Sequence, residues 1–352
     1  MIRKPSANLD LLRAVAVLLV LTQHLFNRLV VPRNSASSLP PIGTFGVFLF
    51  FVHTCLVLMH SMERSRLDGV PLALNFYVRR IFRIYPLSIL AVLTAVALHL
   101  DSVNGVPGLS HVEAVNSGRI VSNLLLVQNL IRPGSIINVL WSLPLEVQMY
   151  VFLPILFLWA RSKRSAAPLG ILWLVSVAIA ALHARLLAMG GFHFAGRLSL
   201  LQYVPCFLPG IMAFMRGQAA RIRSFLWLPF ILLLTLAYAI APSGPTGWML
   251  CLLLGLAIPY FEEIQTGWLR WTAHKIATYS YGIYLSHQFC IWLVADPLSS
   301  CTWWIKGPLL AILLIAIPIG LYYAIEKPMI TVGADLAERL SVRRVMPAGV
   351  QS

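Results

Sequence analysis

Arg13 and His24 lie eleven residues apart in the run LDLLRAVAVLLVLTQHLFNRLVV, residues 9–31. Eleven helical steps return a side chain to within ~20° of its starting direction and carry it ~16 Å along the axis. The two therefore share one face. A guanidinium there can hold an anion or oppose developing negative charge. A neutral imidazole can accept a proton, which is what a general base must do. Most of the run is apolar enough to span a membrane, where charge is costly and, when retained, marks a functional pathway. Two plainer readings stand beside this one. Arg13 snorkels to the inner interface, or His24 is a hydrogen-bonded packing residue. Asp10, one turn before Arg13, is placed to pair with it.

Four further stretches carry polar groups into apolar surroundings. NFYVRRIFRIYPL, residues 75–87, sets Arg79, Arg80 and Arg83 within an arc of about 100° on a helix. Three guanidiniums on one face suit phosphate; the alternative is an anchor to anionic lipid. In WSLPLEVQMYVFLP, residues 141–154, Ser142 and Pro144 form a helix start, which puts Glu146 in the opening turns and Tyr150 one turn further. An acid there has favourable dipole company and can pair with a cation or a hydroxyl, or simply cap the helix. SYGIYLSHQ, residues 280–288, spaces Tyr281, Tyr284 and His287 three apart after Ser280; an aromatic interface belt is the alternative. IEKP, residues 325–328, ends the last apolar run with Glu326, where a pair with Lys327 is the plainer reading.

The elements that must position these residues are helices in a membrane. Of 352 residues, 59% are apolar and 11% charged, against about a quarter charged in soluble domains. The fold class expected is all-α, a polytopic transmembrane helix bundle of about ten spans of roughly 20 residues. They fall near 9–30, 42–61, 84–100, 143–160, 168–188, 200–215, 225–241, 246–261, 279–296 and 308–326. A net charge of +15 would suit nucleic acid in a soluble chain, but here its distribution reports topology. With the N-terminus inside, the outer segments hold only Arg28, Arg33, Arg119, Arg132, Arg185, Arg197 and Lys306 of the 27 lysines and arginines. The positive-inside rule then makes both termini cytoplasmic and removes nucleic acid as a partner. Residues 1–330 are expected to form the transmembrane domain and 331–352 a short cytoplasmic tail. The longest outer segment, 101–142, is polar and can cover a cavity mouth, bind an external substrate or act as a passive linker. The five cysteines make no C-x-x-C pair, so neither a disulfide framework nor a zinc knuckle is supported. The first run is too long, and too polar inside, for a cleaved signal peptide.

Taken in order, these stretches resemble the acyltransferase-3 family of bacterial integral-membrane acyltransferases over residues 8–328. Arginine, ten residues, then histidine matches its first-span signature at Arg13 and His24. FGVFLFFVHTCL resembles its glycine-led second span. Arg79, Arg80, Arg83 and Pro86 match the basic third motif, and Trp141, Ser142, Leu143, Glu146 and Tyr150 match the next. SYGIYLSHQ and EKP match the last two. The second span departs from the pattern: Phe48 stands where an acid is common, and His53, Thr54 and Cys55 replace residues that usually end in Ser-Gly.

The resemblance implies an acyltransferase of the bacterial inner membrane. It would move an acyl group, acetyl by family default, from cytoplasmic acyl-CoA to a hydroxyl of an extracytoplasmic carbohydrate or glycolipid, as in O-acetylation of cell-envelope polysaccharide. No metal is expected. His24 would be the general base or an acylated nucleophile. Arg13 would hold the donor or oppose developing charge, and Glu146 would orient a partner. Arg79, Arg80 and Arg83 would bind CoA phosphates, and Trp141, Tyr150, Tyr284 and His287 would line the substrate cavity. The rival class is a secondary transporter or lipid-linked-sugar flippase. Transporters often show paired, interrupted spans in matching halves, whereas the polar motifs here are dissimilar and unpaired.

Overall fold

A computed structural model describes residues 6–31, 39–99, 116–131, 134–162, 165, 167–189 and 195–345. The chain runs α1 (Ala7–Leu29), α2 (Ile42–Ser65), α3 (Gly69–Ala97), α4 (Ser117–Leu124), α5 (Gln128–Ile131), α6 (Leu143–Ser162), α7 (Ala167–Ala188), α8 (Val204–Arg216), α9 (Trp227–Ile240), α10 (Gly244–Ala257), α11 (Gly267–Ala295), α12 (Trp303–Leu321) and α13 (Lys327–Val345). Among the described residues there is no strand, only an isolated bridge between Ile222 and Phe261.

Each of the ten expected apolar runs falls on a helix. Six helices are long and apolar enough to cross a membrane: Ala7–Leu29, Ile42–Ser65, Gly69–Ala97, Asn138–Ser162, Ala167–Ala188 and Trp303–Ser341. Helices α8, α9 and α10 are shorter. Thirteen or fourteen residues reach only about 20 Å, less than the ~30 Å hydrocarbon core. Helix α11 is long enough but too polar along its length to qualify by composition. Two starts also move. The third helix begins at Gly69, so the arginine cluster lies inside it, and α11 begins at Gly267. The last helix continues through a π-helical turn, Tyr322–Glu326, into α13, which packs back against α3.

Helix α2 is the central element. It packs on α1 and α8, while α11 covers the other side of α1. Two glycines make this closeness possible. A Cβ on Gly46 would stand 2.6 Å from the Ala16 carbonyl oxygen, and one on Gly210 would stand 2.2 Å from that of Val52. Small residues let membrane helices touch backbone to backbone. Between them sits an aromatic core in which Phe51 stacks on Phe207, ring centres 4.1 Å apart, and Phe45 stacks on Tyr238 at 5.1 Å. Gly210→Leu is therefore expected to lose several kcal/mol, beyond the about 1–3 kcal/mol of ordinary overpacking, because backbone rather than a side chain must yield. The thermal midpoint in detergent checks this, with Gly170→Leu, whose added Cβ would meet open space, as the control.

The start of α1 is clasped at one end of the bundle. Ser6 caps the helix by accepting from the Leu9 N–H at 3.3 Å and donates to Glu263 Oε1 at 2.6 Å. Asn8, buried, donates to the Glu262 carbonyl at 2.9 Å and accepts from the Ile264 N–H at 3.1 Å. The Trp227 indole N–H closes the set on the Asn8 carbonyl at 2.9 Å. At the far end of the same helix, Arg28 is held by Asp296, the residue that caps the end of α11, at 2.5 and 2.6 Å. The helix carrying Arg13 and His24 is thus fixed at both ends.

Candidate functional site

A cavity of about 100 Å³ opens among α1, α2, α3, α6 and α11. Arg13 of α1 and Arg80 and Arg83 of α3 line it, together with Glu146 and Tyr150 of α6 and Ser280, Tyr281 and Tyr284 of α11. Such a volume holds several water molecules. Several polar lining groups are held by hydrogen bonds. Arg13 donates through Nε to Ser280 Oγ at 2.6 Å, and Ser280 in turn donates to the Ala277 carbonyl at 2.8 Å. Tyr150 donates to Glu146 Oε2, one helical turn away, at 3.0 Å. Tyr281 donates to the Ile84 carbonyl at 2.7 Å.

Arg83 is paired with Glu326, whose carboxylate is buried. The π-helical turn ending at Glu326 explains how a helix that otherwise faces outward presents an acid inward. A wider turn inserts one residue and rotates the rest of the helix beyond it. Lys327, the expected partner of Glu326, instead lies over the Tyr323 ring, 5.5 Å from its centre. Asp10 likewise does not pair with Arg13. It accepts from His274 Nδ1 of α11 at 2.9 Å, leaving Arg13 to Ser280 and the cavity.

Arg80 lines the cavity without a carboxylate partner among the described residues. Glu146 of the same cavity attracts it without forming an ion pair. A guanidinium compensated only in part in a low-dielectric site is expensive, and an anionic ligand relieves that cost. Arg79 turns away from the main cavity. It donates to Asn75 Oδ1 at 2.9 Å and, with Arg80, borders a smaller space of about 10 Å³.

The histidines stand apart from the arginines. His24 and His287 bring their rings to 5.2 Å centre to centre, and neither lines the arginine cavity. Tyr284 separates the two groups. Its hydroxyl donates to the Val139 carbonyl at 2.7 Å, so the Ser142 hydroxyl, also 2.7 Å away, donates to it. The Tyr284 ring is 6.4 Å from that of His287 on one side and 6.2 Å from Phe50, a lining residue, on the other. Trp141 ends the 3₁₀ turn Asn138–Trp141 and packs on Tyr203 at 5.5 Å, away from the cavity.

His53 is the lining residue that spacing alone does not single out. It is buried on α2 and faces the same cavity as Arg13 and Glu146. Its signal in the sequence is a departure from a pattern rather than a match to one. Part of the polar segment 101–142, residues 101–115 and 132–133, lies outside the described residues.

Fold and site together define a multi-pass helical membrane protein with a charged chamber among its spans. The family model described as an acyltransferase domain matches residues 6–325, nearly the whole chain, and the chain belongs to that acyltransferase-3 family. It is an acyltransferase. Comparison with curated proteins and with solved structures gives no match.

Proposed function

We propose that this enzyme moves an acyl group, acetyl in the simplest case, from acyl-CoA on the cytoplasmic side to a hydroxyl of a carbohydrate or glycolipid on the other. In this reading the chain crosses a bacterial inner membrane about ten times with both termini cytoplasmic, the short helices crossing with the help of their neighbours. The observation that carries the reading is the unpaired Arg80 in a three-arginine cavity on the face of α1 that leads from Arg13 to His24. The donor is polyanionic, and a cavity with a spare guanidinium suits it. About 16 Å of helix separates the backbone positions of Arg13 and His24, and only Arg13 lines the cavity. Arg13, Arg80 and Arg83 hold the donor, and the thioester end reaches past Tyr284 towards His24.

At the histidine, the acceptor oxygen bonds to the thioester carbonyl carbon as His24 takes the hydroxyl proton. The carbon–sulfur bond then breaks, and the proton passes from His24 to the leaving thiolate. An acyl-histidine variant divides the same transfer into two steps. Glu146, held by Tyr150, sets the position of the cations around it.

Membranes given radiolabelled acetyl-CoA test this: label is expected in the carbohydrate or glycolipid fraction, and its absence from both refutes the reading. Arg80→Leu is expected to raise the KM for acetyl-CoA about 10- to 100-fold. That range matches the about 1.5–3 kcal/mol of a hydrogen bond to a charged group, with a smaller effect on kcat. An unchanged KM would show that Arg80 does not meet the donor.

A further inference from the structure

His287 is 1% exposed and lies one turn from Tyr284 on α11. Its Nδ1 stands 2.9 Å from the Ile283 carbonyl oxygen. A carbonyl can only accept, so Nδ1 carries the proton. The ring is thereby fixed in one tautomer, with the lone pair on Nε2. That Nε2 is buried and has no hydrogen-bond partner among the described residues, an arrangement that normally costs about 1–3 kcal/mol. The nearest ring is that of His24, 5.2 Å centre to centre and tilted by 46°. An N–H···N bond of about 3 Å joining two imidazoles end to end gives a centre-to-centre distance of about 5 Å. The spacing is already right, and only rotation about the side-chain bonds of His24 is needed to close the bond. The two helices are also held together where Arg28, one turn beyond His24, meets Asp296 at the end of α11.

We propose that His287 is a positioning residue whose Nε2 accepts the N–H of His24. This rests on the reading of His24 as the base. The bond fixes which His24 nitrogen keeps its proton and leaves the other lone pair free for the acceptor hydroxyl. After proton transfer, the imidazolium of His24 keeps its N–H on His287, and the charge is shared with a neutral, polarisable partner. A base oriented by a third group is the general arrangement of activated nucleophiles and bases. Here a second imidazole fills the place a carboxylate often takes, which avoids a buried negative charge between two helices.

The test compares initial rates of label transfer from acetyl-CoA to the carbohydrate fraction of native membranes for four proteins at equal abundance: wild type, His24→Ala, His287→Leu and His287→Gln. His287→Leu is expected to lower kcat about 10- to 100-fold, the effect of one hydrogen bond to a charged group, with the KM for acetyl-CoA unchanged. His287→Gln, whose amide oxygen stands near the place of Nε2, is expected to recover most of that loss. Equal loss in the two variants, or wild-type rate in His287→Leu while His24→Ala is inactive, would overturn the inference alone. His24→Ala at the wild-type rate would overturn the proposed function and this inference with it.

Discussion

Replacing His24 with alanine is expected to lower the rate of acyl transfer about 100- to 10,000-fold, the range supplied by a positioned general base. The protein should still reach the membrane in normal amount. His24 is only half-buried and takes no part in the clasp at the start of α1 or in the Arg28–Asp296 pair near its end. On the proposed reading the KM for acetyl-CoA should move little, because Arg13, Arg80 and Arg83, the groups assigned to the donor's anionic part, line a cavity that His24 does not. A loss confined to kcat identifies an interaction made only in the transition state. If the KM rose while kcat held, His24 would be a donor-binding group and the two-chamber reading would be wrong. A stoichiometric burst of free CoA before the steady state would distinguish an acyl-histidine from a base.

The periodicity of the first span places Arg13 and His24 on one face, and the structure sets both on that face of α1, turned towards α11. That much is legible because a helix converts spacing into direction by local geometry alone. What the residues touch is not local. Arg83 meets Glu326, 243 positions away, through a π-helical turn that no apolar pattern announces. Asp10 and Arg13 are spaced to pair, yet each finds a partner on α11, since packing against a third helix outweighs a weak intrahelical ion pair. The arginine cluster reads as one surface from its arc, but a fraction of a turn decides that Arg80 and Arg83 face the cavity while Arg79 bonds to Asn75. His287 is spaced like a neighbour of the tyrosines, and only the packing of α11 on α1 shows that it belongs with His24. The ten apolar runs are visible because burial in lipid demands continuous hydrophobicity. The short lengths of α8, α9 and α10 are partly legible too, since the basic stretch around Gly217 and the Pro-Ser-Gly-Pro stretch after Ala241 interrupt the apolar sequence.

The separation of the two polar groups has a chemical consequence. A thioester that met water in the arginine cavity would hydrolyse without product. Tyr284, bonded to both Val139 and Ser142, lines the cavity and lies beside His287, while neither His24 nor His287 lines it. On the proposed reading, a donor held by its anionic part and threaded past Tyr284 would present its carbonyl where the acceptor hydroxyl and the base meet. The apolar Phe50 and Val57 on the cavity wall give the linking arm a surface that offers no competing hydrogen bonds.

Glu326→Ala is expected to destabilise the folded protein by about 3–5 kcal/mol, the usual result of removing one member of a buried ion pair and leaving the other charge uncompensated. The Glu326 side chain is fully buried and that of Arg83 is 20% exposed, so water cannot take the place of the carboxylate at much of the guanidinium. The effect should be larger than that of Asp68→Ala, which breaks the pair with Arg161. Both partners there are exposed, and such pairs contribute roughly 0–1 kcal/mol. Removing both charges together, as Arg83→Met with Glu326→Leu, should recover most of the lost stability, because the cost lies in the stranded charge rather than in the lost attraction. On the proposed reading the double variant should nevertheless bind acetyl-CoA poorly, since Arg83 also lines the cavity assigned to the donor. Thermal midpoints of wild type, the two single variants and the double variant in detergent, taken as a double-mutant cycle, measure the coupling directly. A coupling near zero would mean that Glu326 and Arg83 are hydrated separately. In that case the π-helical turn would no longer be explained by the need to deliver a carboxylate to the arginines.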